Sequence, residues 1–181
     1  MRYFITAVLL LSSIFLFAQI GAEEIDFSID ERVLDSEYII NSFNWQLADE
    51  YFKREDFESC IKVLRRIVAL NPTDVEAYST LGWLLSGEKR TDEAKAIYKE
   101  MVENNENSAD ANFEMGFYYY RLENFENALP YLKKAFELGV ELKKANIYGN
   151  LLERLGREEE AKEVYEELKN RFSADEPIAE N

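Results

Sequence analysis

Histidine is absent from this chain of 181 residues, and cysteine occurs once, at position 60. Without histidine there is no imidazole general base and the commonest zinc ligand is missing, while one thiol cannot close an internal disulfide. Glycine (7) and proline (3) are scarce; with 14% aromatic residues, that scarcity argues against a disordered chain. Basic residues are in the minority, 21 Lys plus Arg against 36 Asp plus Glu, for a formal net charge of −15. So acidic a chain lacks the cationic surface that nucleic-acid phosphates or anionic lipid would need. There is no EF-hand spacing, no Gly-rich phosphate loop and no Ser elbow. No metal, no cofactor and no enzymatic activity are expected. What remains is an acidic, mostly helical domain.

Long apolar runs are confined to the start. Arg2 is the only charge before Glu23, and Tyr3 to Ile20 is interrupted only by Thr6, Ser12, Ser13 and Gln19. A basic start, an apolar run and then Gly21-Ala22 read as a secretory signal peptide over residues 1–22. The rival reading is an uncleaved anchor: 18 residues rise roughly 27 Å as a helix, short of a bilayer core of about 30 Å. With no Cys nearby, a bacterial lipoprotein anchor is excluded. Either way the remainder is expected to be exported, to a periplasm or cell envelope or beyond, and to meet a membrane only if the segment stays uncleaved. Residues 23–181 keep 20 basic and 36 acidic groups. A chain of this size buries roughly 70% of its unfolded surface and needs no disulfide. A lone thiol suits an oxidising compartment. Asn71-Pro72-Thr73 is not an acceptor for glycosylation, and its failure favours a bacterial envelope over a eukaryotic secretory route.

The rest of the chain repeats. Leu47-Ala48, Leu81-Gly82 and Met115-Gly116 recur every 34 residues, and Tyr148-Gly149 follows 33 later. Three residues after each small residue stands Tyr51, Leu85, Tyr119 or Leu152, and twelve after it Cys60, Ala94, Ala128 or Ala161. Four beyond those come Leu64, Tyr98, Leu132 and Tyr165. Such spacing predicts two antiparallel helices per copy, with the small residues letting the pair approach closely. The turns within copies fall at Arg54-Glu55-Asp56, Gly87-Glu88-Lys89, Glu123-Asn124 and Gly156-Arg157. One helix pair cannot bury its own apolar face, so the copies must stack into a superhelix.

These residues resemble the tetratricopeptide repeats. Tyr78, Leu81, Gly82, Leu85, Ala94 and Tyr98 carry the family pattern in the second copy, and Pro72 closes the first. Departures are Asn44 at the opening aromatic and Glu106 and Val140 at the closing proline. The resemblance implies an all-α fold, a right-handed superhelix of stacked antiparallel helix pairs. Its repeats would span about residues 41–74, 75–108, 109–141 and 142–175, within a domain covering 36–172. Residues 23–35 read as a linker and 173–181 as a disordered tail. Asp35 or Ser36 is expected to cap a first helix that runs early through Tyr38, Ile39 and Ile40. With no capping helix after the last repeat, Val164 and Leu168 are expected to be exposed or covered by a second protomer.

The functional signal is aromatic. At 100° per residue, Asn44, Leu47, Ala48 and Tyr51 share the packed face of the first helix, while Trp45, Asp49 and Phe52 form a separate stripe. The second copy repeats that stripe as Ser79, Trp83 and Ser86, the third as Phe113, Phe117 and Tyr120, the fourth as Asn146, Asn150 and Glu153. By resemblance these positions line the concave groove, giving a partner-binding surface of Trp45, Asp49, Phe52, Trp83, Phe113, Phe117 and Tyr120, rimmed further by Glu76, Asp110 and Glu114. The chaperone-binding members of the family clamp a carboxylate with Lys, Asn and Arg; the matching positions here hold Trp45, Asp49, Thr80, Asp110 and Glu114, so the charge is reversed. The expected partner is a protein or peptide with apolar and basic residues. An assembly subunit that is membrane-anchored, or self-associates through the last repeat, is the alternative. Cys60 is expected to be a buried, inert thiol; the acidic run Glu158-Glu159-Glu160 a solvated face with Lys162 paired to Glu158 and Glu166; and Lys62 paired to Glu58.

Overall fold

The computed structural model describes residues 36–173. The expected signal peptide (1–22), the expected linker (23–35) and residues 174–181 of the expected tail lie outside them. The chain divides between Ile40 and Asn41, and the second unit, 41–181, holds the repeats.

The described residues form eight helices and no strand: α1 Ser36–Lys53, α2 Phe57–Leu70, α3 Val75–Gly87, α4 Thr91–Asn104, α5 Ala109–Arg121, α6 Phe125–Glu137, α7 Leu142–Arg154 and α8 Glu158–Ser173. The class is the expected one, an all-α solenoid of antiparallel helix pairs. Each pair is closed by the same turn. Glu55, Lys89, Glu123 and Gly156 stand at equivalent positions with φ of 59°, 61°, 55° and 71°. Next to each, the backbone N–H of Asp56, Arg90, Asn124 or Arg157 donates to the carbonyl of Tyr51, Leu85, Tyr119 or Leu152 at 2.8–3.0 Å. This left-handed helix stop satisfies a terminal carbonyl and delivers the chain straight into the next helix. Only the fourth copy uses glycine there, so the other three bear the strain of an L-residue in the left-handed region. Between pairs, Asp74 and Ser108 cap α3 and α5 by accepting from Ala77 N and Ala111 N at 2.9 and 3.2 Å.

Close approach explains the recurrent small residue. A Cβ on Gly82 would lie 2.6 Å from the Tyr98 ring, and one on Gly116 2.7 Å from Leu132 Cγ and 3.0 Å from the Leu132 backbone N. On Gly149 it would collide with the Tyr165 ring. The first copy has Ala48 instead, whose carbonyl accepts from Cys60 Sγ at 3.4 Å. The interior consists of two apolar clusters, one through the first two copies into α5 and one through the last two.

Two expectations are corrected. Val164 and Leu168 are buried in the second cluster rather than exposed, and the outer face of α8 carries Glu159, Lys162, Glu163 and Glu166 instead. Ala161, Val164 and Leu168 of the last helix all pack into that cluster. The charge pairs also differ. Lys162 bonds Glu159 at 2.7 Å, and Glu58 reaches across to Arg90 at 2.8 Å rather than to Lys62.

Asn44 and Asn112, at the same place in their copies, are both 1% exposed. Asn112 Nδ2 donates to the carbonyls of Glu106 and Ser108 at 3.0 and 2.8 Å, because the turn before α5 brings those oxygens to it. Asn44 Nδ2 has no acceptor. A buried amide left so costs about 1–3 kcal/mol.

The glycines supply a stability test. Gly116→Ala must push against backbone and is expected to lose about 1–3 kcal/mol in urea unfolding. Gly87→Ala, with nothing within 4 Å of its new methyl, is expected to stay within about 0.5 kcal/mol.

Candidate functional site

Helix periodicity turns the stripe residues away from the helix-pair contact, and the structure sorts them into two groups. Trp45 on α1 is half-buried, and its indole N–H donates to Asp74 Oδ2 at 3.3 Å. That carboxylate uses its other oxygen to cap α3. Trp45 is thereby tied to the start of the second copy. Phe52 and Trp83 stay 41% and 49% exposed, although their rings meet at 6.1 Å, with Phe57 5.8 Å from Phe52. Trp45, Phe52 and Trp83 wall an apolar cleft of about 280 Å³ floored by Cys60 and Leu64. The Cys60 thiol is buried, and its pKa is pushed up by that burial first and by Asp49 and Asp56 next. It is an unreactive floor.

The second group is a ladder on α5. Phe113 stacks on Phe117 at 5.4 Å and Phe117 on Tyr120 at 6.3 Å, with Phe125 closing the end 5.6 Å from Tyr120. Phe113 is 6% exposed and belongs to the second apolar cluster; Phe117 and Tyr120 are half-buried. Of the third-copy rings, only these last two present a face to the groove side.

The acidic rim is partly neutralised. Asp49 pairs with Lys53 one turn on. Glu114 Oε2 accepts from Ser79 Oγ at 2.9 Å. Lys144, on α7, places its ammonium 2.6 Å from Asp110, 3.9 Å from Glu114 and 5.2 Å from the centre of the Phe113 ring. Burial acts against its charge, but the hydrogen bond and charge of Asp110, then Glu114 and Glu141, outweigh it and raise its pKa. The sequence reading missed Lys144. The repeat pattern does not single it out, because the fourth copy follows the third by 33 residues, so Lys143 holds the position equivalent to Asp110 and Lys144 stands one residue past it. Glu76, Ser79, Asp110, Glu114 and Lys144 border a second cavity of about 390 Å³, and Thr80 lines both this cavity and the apolar cleft. A third cavity of about 220 Å³ lies against Trp83 and Phe117, with Glu114 and Arg121 on its walls.

Among the described residues, no group of three or more His, Cys, Asp or Glu is placed to hold a metal ion. None of their helices is long and apolar enough to cross a membrane. The arrangement offers apolar cover beside carboxylates.

Stacked helix pairs enclosing such a surface define an α-solenoid. The sequence matches the tetratricopeptide repeat over residues 46–111, 109–138 and 145–171, and the chain belongs to that family of protein-interaction scaffolds. It is 30% identical over 127 residues to the human signal recognition particle subunit SRP72, covering 68% of this chain. The match spans 18% of that much longer relative. Among solved structures, MamA from Desulfovibrio magneticus superposes with a TM-score of 0.60 at 19% identity, covering 76% of this chain and 78% of that one. YrrB, described as a tetratricopeptide protein with an unusual peptide-binding site, superposes with a TM-score of 0.54 at 20% identity, covering 71% and 66%. Identities this low establish the shared fold.

The two indoles differ in access, which quenching can read. Replacing Trp83 with Phe leaves Trp45 as the sole indole, and iodide is expected to quench the remaining emission less than it quenches the Trp45→Phe variant. Equal quenching would contradict the exposed setting of Trp83.

Proposed function

We propose that this chain is an exported, non-enzymatic adaptor that holds a segment of a partner protein against Trp45, Asp49, Phe52, Trp83, Phe117 and Tyr120, Phe113 being buried beneath them. The observation that carries the reading is the Phe52–Trp83 pair. Two large rings stay nearly half exposed at the mouth of an apolar cleft, although helix pairing does not require them there. Rings so placed gain most of their burial when a partner covers them, and such anchors dominate binding energy, often by ~2 kcal/mol or more each. The acid rim adds a preference for basic partners, steering encounter and rejecting acidic ones. Export rests on the apolar run Tyr3 to Ile20 followed by Glu23-Glu24. The charged outer face of α8 gives no support to self-association through the last repeat.

Trp83→Ala is expected to weaken partner binding by roughly 30-fold or more while destabilising the fold less than Leu81→Ala, whose fully buried side chain is worth about 2–5 kcal/mol. A partner that binds Trp83→Ala like the parent, as measured by calorimetry, would remove the groove from consideration. Export has its own readout. Mass spectrometry of the natively expressed protein is expected to find Glu23 at the N-terminus, and an intact Arg2 in the membrane fraction would establish the anchored form.

A further inference from the structure

Resting on that groove reading, we infer the chemistry and spacing of the partner segment: a large apolar or aromatic residue in the cleft between Phe52 and Trp83, and a lysine or arginine about three residues away between Glu76 and Glu114. The two cavities meet at Thr80, which lines both. Glu76 and Trp83 stand seven residues apart on α3, about 10.5 Å along the helix axis. An extended segment covers that length in about three residues.

The cation follows from the balance of charge in the second cavity. Three carboxylates, Glu76, Asp110 and Glu114, face one ammonium, that of Lys144. Lys144 sits closest to Asp110 and reaches Glu114 only at 3.9 Å, and Glu76 has no ion pair among the described residues. Lys144 also shows how this wall receives a cation, between carboxylate and ring face. Arg121 stands in the neighbouring cavity beside Trp83 and Phe117, which leaves the Glu76 side for an incoming charge. The chain's own ends do not fit. Residues 23–35 hold six acidic groups and one basic, and residues 174–181 hold three acidic groups and none basic. An occupant of opposite charge therefore comes from another molecule, and Lys144 is its internal competitor.

The test is to pan random 12-residue peptides, displayed on phage, against the purified chain. The enriched sequences are expected to carry a large apolar or aromatic residue and a Lys or Arg two to four positions apart, in either order. Measured by fluorescence anisotropy, the best synthetic peptide is expected to lose tenfold or more in affinity with Glu76→Lys, less with Glu76→Gln, and to gain several-fold with Lys144→Met. Thermal unfolding of each variant separates lost binding from lost fold. Enriched peptides without basic residues, or with affinities indifferent to Glu76→Lys, overturn the cation pocket. If those peptides still fail to bind Trp83→Ala, the groove stands and only its charge reading falls. Peptides that bind Trp83→Ala and Glu76→Lys like the parent, or a library that yields no enriched sequence, overturn both readings.

Discussion

Everything in this solenoid depends on how closely the two helices of a pair approach. Where Gly82 meets the Tyr98 ring, Gly116 meets Leu132 and Gly149 meets the Tyr165 ring, there is no room for a methyl group. Contact at that range buries Leu81, Met115 and Leu152 on the inner faces of α3, α5 and α7. It also turns the stripe at Trp45, Trp83 and Phe117 away from the pair. The cleft walled by Trp45, Phe52 and Trp83 is thus a by-product of helix pairing.

Turn geometry keeps the copies in register. A left-handed residue at the same place in all four copies ends one helix and starts the next without a linker. Three of these residues are Glu or Lys, side chains that a left-handed backbone disfavours by roughly 1–2 kcal/mol each. Stacking outweighs that strain, because each pair is held by its neighbours along the array. Contacts that cross between copies reinforce it: Trp45 with Asp74, Arg90 with Glu58, and Lys144 with Asp110.

Charge is distributed with the same economy. The outer face of α8 is a solvated end of mixed sign, with Arg157 bonded to Glu160 and Arg171 paired to Glu167 and lying over the Phe136 ring. Exposed pairs of this kind contribute little to stability, about 0–1 kcal/mol. They keep the end of the array polar. In the second cavity the acids are less fully matched, since Glu76, Asp110 and Glu114 share the single ammonium of Lys144.

The 34-residue register, the helix pairs, the need for small residues at 82, 116 and 149 and the stripe at 45, 83 and 117 were all readable from the sequence. Each depends on contacts within one copy, and those repeat with the copy. Tertiary structure alone decided what happens between copies. Phe113 and Phe117 look equivalent along the chain, yet Phe113 is buried in the second apolar cluster with Lys144 of the next repeat over its ring, and Phe117 is only half-buried. Trp45 is fixed because Asp74, spent as a helix cap, still has an oxygen to offer. Val164 and Leu168 are hidden because α8 packs them into the second apolar cluster. Periodicity states which face a residue is on; whether that face meets solvent, a ring or a charge depends on side chains more than twenty residues away, and only packing brings them together.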